Sequence, residues 1–122
     1  MREVFRVIIA GSRDFNDYNL LKEKCDTFLE IKRMVNDIQI VSGGARGADS
    51  LGERYAAEKG YHLQLFNADW EKYGKSAGYK RNVEMAENAD ALIAFWDGQS
   101  RGTEHMIRTA RDHKLPVRVV RF

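Results

Sequence analysis

Five short apolar runs, separated by stretches of helical spacing, give this chain its pattern of hydrophobic and polar positions. Such runs, when turn residues close them, are typical of strands that are buried on both faces. They predict five strands, at residues 2–10, 38–42, 61–66, 90–96 and 117–120. Pro116 stands just before the fifth strand, where its missing backbone donor costs little.

Between the strands, apolar residues recur at the spacing of a helix. Leu21, Cys25, Phe28 and Lys32 follow this spacing and predict a first helix over residues 18–35, which ends before Asn36. The same reasoning predicts three further helices, at residues 48–59, 77–88 and 102–113, and a loop at residues 67–76.

The alternation of strand and helix predicts an α/β fold with a parallel sheet and helices on both faces. If the direction of the crossover reverses after the third strand, the strand order is 3-2-1-4-5, a Rossmann-like three-layer sandwich. Residues 1–122 then form a single domain. In such a sheet, the loops that follow the strands gather at one edge, where ligands bind.

Composition refines this picture. The 122 residues are 43% hydrophobic, enough for one core, and pairing with a second copy would add stability, so we predict a homo-oligomer. The net charge is +2, from 20 basic and 18 acidic residues that are interspersed. This balance argues against a nucleic-acid-binding face. A local basic cluster could still attract a small anion: Arg13, Arg46, Lys75, Arg81 and Arg101.

Two further features bear on location. Cys25 is the single cysteine, so it cannot form an internal disulfide, and we interpret it as a small core residue. The start of the chain does not resemble a signal peptide, and no apolar run has the length needed to cross a bilayer. We therefore expect a cytoplasmic protein with no membrane partner.

Four loops at strand ends carry the candidate chemistry. They are loop one, residues 11–13; loop two, residues 42–49; loop three, residues 67–82; and loop four, residues 97–103. Glycine lets backbone N–H groups approach a ligand, and helix N-termini favour anions. The candidate ligand-binding residues in the first two loops are Gly11, Ser12, Arg13, Ser42, Gly43, Gly44, Arg46, Gly47 and Asp49. Those in and beside the last two loops are Trp70, Tyr73, Lys75, Arg81, Asn82, Trp96, Asp97, Gly98, Ser100, Gly102 and Thr103.

Loop two has more glycines than a simple turn needs. Its Gly43, Gly44 and Gly47 favour contact with a ligand, although their spacing is neither a dinucleotide fingerprint nor a P-loop. Because a carboxylate repels a phosphate, Asp49 is expected to meet a ribose hydroxyl or a neighbouring loop. A plain first-turn carboxylate is the alternative.

Aromatic residues in the later loops leave two interpretations open. Trp70 or Tyr73 could stack on a nucleobase, but for Trp70 alone we slightly favour plugging of the core edge. Trp96 could wall the pocket or only fill space. Lys75 and Arg81 are expected to pair with phosphate oxygens.

The histidines do not predict a metal site. His62, His105 and His113 are scattered, with no spacing typical of metal ligands, and we interpret them as packing or surface residues. No Ser-His-Asp or Cys-His arrangement is recognisable.

These segments resemble the SLOG superfamily, the Rossmann-like group that joins DprA-type and LOG-type proteins. Within it, the chain is similar to the YspA-like, cpYpsA-related branch. The resemblance rests on residues 11–15, 41–49 and 68–78, on Arg81-Asn82 with Met85, and on residues 96–103. It implies a nucleotide or ADP-ribose-like ligand and no settled reaction. No cofactor is certain.

A departure from the LOG phosphoribohydrolases bears on catalysis. Those enzymes carry a Gly-Thr pair followed by a glutamate that assists cleavage of the glycosidic bond. Here Gly102-Thr103 match the pair, but Met106 stands at the glutamate position and cannot transfer a proton. The sequence therefore favours a protein that binds its ligand without cleaving it.

The leading hypothesis is a nucleotide-binding module that senses or sequesters its ligand. A phage or immunity setting is suggested only by the resemblance to this family. The first alternative is a nucleotide N-glycosidase or phosphoribohydrolase-like enzyme whose acid or base is Asp49, Asp97 or Glu104. The second alternative is a DprA-like nucleic-acid binder.

Overall fold

A parallel sheet forms the centre of the protein. The structure is a computed structural model that describes residues 2–122. The strands are β1 (Glu3–Gly11), β2 (Asn36–Ser42), β3 (His62–Leu65), β4 (Ala91–Trp96) and β5 (Val117–Arg121). The helices are α1 (Tyr18–Leu29), α2 (Lys32–Val35), α3 (Ala48–Lys59), α4 (Trp70–Tyr73), α5 (Ala77–Glu87) and α6 (Arg101–Asp112), with a 3₁₀ turn at Gly74–Ser76.

The strand order is β3-β2-β1-β4-β5, and every pairing is parallel. This confirms the predicted Rossmann-like fold. β1 lies at the centre, where Ile8 pairs with Val41 of β2 on one side and with Leu92 of β4 on the other. Loops one and four leave the adjacent strands β1 and β4, so the change of crossover direction lies between them.

The core lies on both faces of the sheet because successive strand residues point in opposite directions. Val7 and Ile9 pack with residues of α1 and α3, whereas Ile8 and Ala10 pack with residues of α5 and α6. Burial on both faces explains why the strands are continuous apolar runs. It also holds α3, α5 and α6 rigidly against the sheet, with their first turns at the edge where the loops gather.

The prediction of where the first helix ends is wrong. α1 stops at Leu29, and α2 follows after a break, because the N–H of Glu30 bonds to the carbonyl of Thr27, three residues back, and tightens the last turn. Ile31 is exposed as a result. Lys32, placed on the buried stripe by the periodicity, instead lies over the ring of Phe5 at 5.1 Å.

The sequence predicted a plain loop at residues 67–76, but the structure has a short helix and a 3₁₀ turn there. The carboxylate of Asp69 accepts a hydrogen bond from the N–H of Lys72 at 3.1 Å and caps α4, and the 3₁₀ turn continues into α5. α3 has the predicted bounds, and the bounds of the remaining elements differ from the prediction by at most two residues. Across residues 2–122, none of the helices combines the length and apolar character that a membrane crossing requires.

Candidate functional site

The loops meet around a cavity of about 260 Å³ at the carboxyl edge of the sheet, which we call the main cavity because more of the candidate residues line it than line the larger open clefts beside it. Half of the predicted ligand-binding residues line it: Gly11, Arg13, Asp49, Trp70, Lys75, Arg81, Asn82, Ser100, Gly102 and Thr103. Two open clefts adjoin it, and they bring in Ser12, Gly43, Gly44, Arg46 and Asp97. Arg13 lines all three, so the clefts and the main cavity form one continuous site.

Loops one and two are locked together through Ser12. Its carbonyl accepts hydrogen bonds from the N–H groups of Phe15 at 3.2 Å and Ala48 at 3.3 Å. Gly47 makes this approach possible: its φ is +79°, and a Cβ there would lie 2.4 Å from the Ser12 carbonyl oxygen. The Ser12 hydroxyl accepts from the N–H of Asp97 at 3.3 Å, which joins loop four to the same point.

Asp49 is buried in the wall of the main cavity. Its carboxylate accepts a hydrogen bond from the N–H of Ala45 at 3.2 Å, within its own loop two, and the backbone N–H of Gly11 in loop one also acts on it. Burial raises the pKa of Asp49 to about 6, while the backbone N–H of Ala45 and the charge of Arg81 act to lower it. A carboxyl group with this pKa changes charge close to neutral pH.

Arg81 connects α5 to loop two. Its Nη1 donates to the carbonyl of Gly43, and its Nε donates to the side-chain oxygen of Asn82 at 3.1 Å. Gly43 allows this contact, because a Cβ there would lie 2.7 Å from Nη1. Burial lowers the pKa of Arg81, and the nearby charge of Arg13 lowers it further, against the opposing effect of Asp49.

Asn82 connects α5 to loop four. Its Nδ2 donates to the carbonyl of Gly102 at 3.3 Å and lies 3.1 Å from Nδ1 of His105. The His105 ring stacks on Tyr79, with centroids 4.2 Å apart. The sequence predicts that His105 is a packing or surface residue, yet His105 contacts the side chain of Asn82, which bridges two loops of the site.

The main cavity carries positive charge. Arg13, Lys75 and Arg81 line it against the single carboxylate of Asp49. In the adjoining clefts, Arg46 adds a fourth cation and Asp14 and Asp97 add two carboxylates, so among the described residues the surplus of positive charge lies in the main cavity. Together with the first turn of α6, which brings Gly102 and Thr103 to the wall, this surplus favours an anionic ligand.

Trp70 is not a plug of the core edge, which corrects the interpretation that we slightly favoured. Its side chain is 52% exposed, because α4 lies outside the packed layers. The ring lines the main cavity, and a Cβ at Gly78 would lie 3.4 Å from its Cη2. Tyr73 lines none of these cavities, and its ring instead has the ammonium groups of Lys72 and Lys80 within about 5 Å.

Four other predicted residues lie behind the site and hold its loops. Trp96 fills space rather than walling the pocket: its Nε1 donates to the Ser100 carbonyl at 3.0 Å, and Arg121 lies over its ring. At Gly98, the absent side chain leaves room for the Arg121 guanidinium. The buried Ser42 hydroxyl is 2.8 Å from a carboxylate oxygen of Glu53, and Gly47 is the junction described above.

The three carboxylates considered for catalysis occupy different places. Asp49 lines the main cavity, whereas Asp97 lines a cleft and accepts from the N–H groups of Gln99 and Ser100, which lower the pKa of Asp97. Glu104 lies outside these cavities and pairs with Arg108 at 3.8 Å on the exposed surface. Met106, 1% exposed, lines the main cavity. Among residues 2–122, no three His, Cys, Asp or Glu side chains are grouped to hold a metal ion.

Several residues that line the cavity are not among the predicted ligand-binding residues: Ala10, Ala45, Gly78, Tyr79, Met85 and Met106. Helical spacing could have found some of them. Gly78 and Met85 stand three residues before and four residues after Arg81, and Met106 stands four residues after Gly102. Residues at these spacings share one helix face.

Comparison with known proteins shows the family of the chain. The family model described as YAcAr, the YspA, cpYpsA-related SLOG family, matches residues 5–73, more than half of the chain. The chain belongs to this family. The matched segment of the SLOG chain includes loops one and two and the start of loop three. The resemblance identified from the sequence is therefore confirmed.

Two individual proteins are also similar to this SLOG chain. The Gene 61 protein of Mycobacterium phage D29 is 39% identical over 118 residues, which cover 92% of this chain and 93% of that protein. The X-ray structure of TM1055, a structural genomics target, matches with a TM-score of 0.62 and 22% identity. It covers 96% of this chain and 72% of TM1055, and at this identity it shows a shared fold alone.

Proposed function

We propose that this protein binds a nucleotide or a nucleotide-derived molecule, such as ADP-ribose, in the main cavity. The observation that carries the proposal is the convergence of Arg13 and Arg81. Their charges are close enough for Arg13 to lower the pKa of Arg81, and Asp49 is the one carboxylate that lines the same cavity. A bound phosphate would relieve the repulsion between the two guanidinium groups.

Each part of such a ligand has a place along the cavity. Phosphate oxygens would meet Arg13, Arg81 and Lys75, and the N-terminus of α6 would add backbone N–H groups. The exposed ring of Trp70 offers a stacking surface for the base. A cavity of about 260 Å³ that opens into two clefts suits a ligand of this size, only part of which would be enclosed.

The proposed role is binding rather than turnover, as a sensor or a sequestering protein. Met106 supports this role, because it brings a thioether to the cavity wall where the LOG enzymes carry their catalytic glutamate. The similarity to a phage protein supports a phage setting. We also propose that the protein acts as a homo-oligomer.

Calorimetry of the purified protein with ADP-ribose, AMP, NAD and cyclic nucleotides tests the proposal. We expect at least one of these probes to bind, and we expect Arg81→Gln to weaken that binding by tenfold or more, since a charged hydrogen bond contributes about 1.5–3 kcal/mol. Arg54→Gln is the matched control, because Arg54 pairs with Glu58 on the exposed surface of α3. Folded protein that binds none of these probes would overturn the proposal.

One observation favours the enzyme alternative as a second candidate. Asp49 is a buried carboxyl group at the cavity wall with a pKa of about 6, which is suited to general acid or base catalysis. Incubation with AMP, followed by chromatography for free adenine, decides between the two. Release of base that Asp49→Asn abolishes would establish the enzyme, whereas intact AMP supports the binding role.

A further inference from the structure

Asn82 can take only one orientation in this structure. The guanidinium of Arg81 is always a donor, so the side-chain atom of Asn82 that faces its Nε must be the oxygen. The amide nitrogen of Asn82 then faces the carbonyl of Gly102, which can only accept. If the amide were flipped, its nitrogen would face the donor Nε of Arg81, and its oxygen would face the carbonyl oxygen of Gly102. Neither pair could form a hydrogen bond.

This orientation determines the form of His105. The second hydrogen on the Asn82 nitrogen points to Nδ1 of His105 at 3.1 Å, so Nδ1 must be the unprotonated acceptor. The ring proton is therefore on Nε2, which lies 3.4 Å from the hydroxyl of Thr109. A doubly protonated imidazole would place a donor against the Asn82 nitrogen.

The surroundings of His105 favour the neutral ring. Burial lowers the pKa of His105, and the positive charge of Arg108 on the same helix lowers it further. On the facing helix α5, the ring meets Tyr79 and Asn82. Arg81 is the charged group on α5 that is joined to the ring through Asn82.

We propose that His105 is a positioning residue of the site: its neutral ring, acting through Asn82, holds the guanidinium of Arg81 at the cavity, and protonation of the ring releases that hold. The inference rests on the proposed function for the identity of the ligand. It goes beyond that function, because His105 lies outside the cavity wall and yet controls the position of the Arg81 guanidinium.

Two substitutions separate this role from simple packing. His105→Leu removes the acceptor, whereas His105→Asn keeps an oxygen near the position of Nδ1 and cannot be protonated. We expect His105→Leu to weaken binding of ADP-ribose about fivefold at neutral pH, the value of one hydrogen bond. We expect His105→Asn to bind like the wild type there.

The pH profile is the readout that a packing role would not change. ADP-ribose is a suitable probe because its diphosphate diester does not titrate near neutral pH. On acidification, wild-type affinity should fall relative to that of His105→Asn. Protonation of Asp49 removes a negative charge and should strengthen anion binding, which is the opposite effect. Because Asp49 is present in both proteins, the difference between them isolates His105. His62→Asn, at an exposed strand position, should keep the wild-type profile.

A double-mutant cycle tests whether His105 acts through Arg81. The effect of His105→Leu should disappear in an Arg81→Met background. Equal affinities of wild type, His105→Leu and His105→Asn at every pH would overturn the proposal, as would an undiminished effect without Arg81. If His105→Leu does not fold by circular dichroism, the profile of His105→Asn decides alone.

Failure of the proposed function can be told apart from failure of this inference. If the wild type binds no phosphate-bearing probe, ¹⁵N NMR of the free protein still decides on His105. We then expect Nδ1 to be the unprotonated nitrogen, and the Arg81 Nε–H resonance to shift as His105 titrates. An Arg81 resonance that does not follow His105 would overturn the inference.

Discussion

At the scale of single residues, Asp49 links the stability of the fold to pH. Burial raises the pKa of Asp49 to about 6 from an ordinary value of 3.8, so the native state binds this proton more tightly than the unfolded chain does. The stabilisation from Asp49 is therefore fully present below its ordinary pKa. It is lost as the pH rises through about 6.

As the pH rises from mildly acidic to neutral and Asp49 ionises, we expect the free energy of unfolding to fall by about 2 kcal/mol. Each unit of pKa difference corresponds to about 1.4 kcal/mol. Urea denaturation at several pH values measures the effect. Asp49→Asn should lack this component of the pH dependence. Identical pH dependence in the two proteins would show that Asp49 does not titrate in this range.

Met106 offers a second test at the same scale. A glutamate at this position would bring a negative charge to the wall of a cavity that, as we propose, binds phosphate. We expect Met106→Glu to bind ADP-ribose at least tenfold more weakly than Met106→Gln, which matches it in size without the charge. Calorimetry at neutral pH compares them, and equal affinities would place the ligand away from Met106.

At the scale of elements, the junction between loops one and two depends on Gly47, and Gly60 provides a comparison. Both glycines have a positive φ, but Gly60 has a left-handed helical ψ of 24° and a Cβ there meets no atom within 4 Å, whereas Gly47 has a ψ of −128°, which only glycine adopts readily at this φ. We expect Gly60→Ala to cost about 1 kcal/mol of stability and to leave binding unchanged. Gly47→Ala adds a clash with Ser12, so it should cost more and weaken binding. Thermal denaturation and calorimetry of both variants test this, and equal costs would contradict it.

The elements also show what the sequence could and could not predict. The strands and the four loops followed from apolar runs and glycine positions, because a parallel sheet brings such loops to one edge. The strand order needed the further assumption that the crossover direction reverses after the third strand. α4 could not be predicted from periodicity, since four residues make barely one turn. The exposure of Trp70 follows from the position of α4 in space, and the role of His105 depends on a contact between two helices. Neither has a local pattern.

At the scale of the whole molecule, both apolar clusters share the central strands. β1 and β4 contribute alternate residues to each face, so loss of one face removes support from the other. We expect a single unfolding transition whose calorimetric and van't Hoff enthalpies agree. A bound ligand should raise Tm, by an amount that corresponds to about 2.7 kcal/mol at a hundredfold excess over Kd. Two separate transitions in scanning calorimetry would show that the faces unfold independently.

The bond from Arg81 to the Gly43 carbonyl has a consequence for the whole binding reaction. Hydrogen bonds within the protein hold this guanidinium between loop two and Asn82. Much of the entropy that a long side chain loses on capturing an anion is therefore lost during folding, before any ligand arrives. The pocket is preorganised by these contacts, and rapid association with little rearrangement is the behaviour that such a pocket favours.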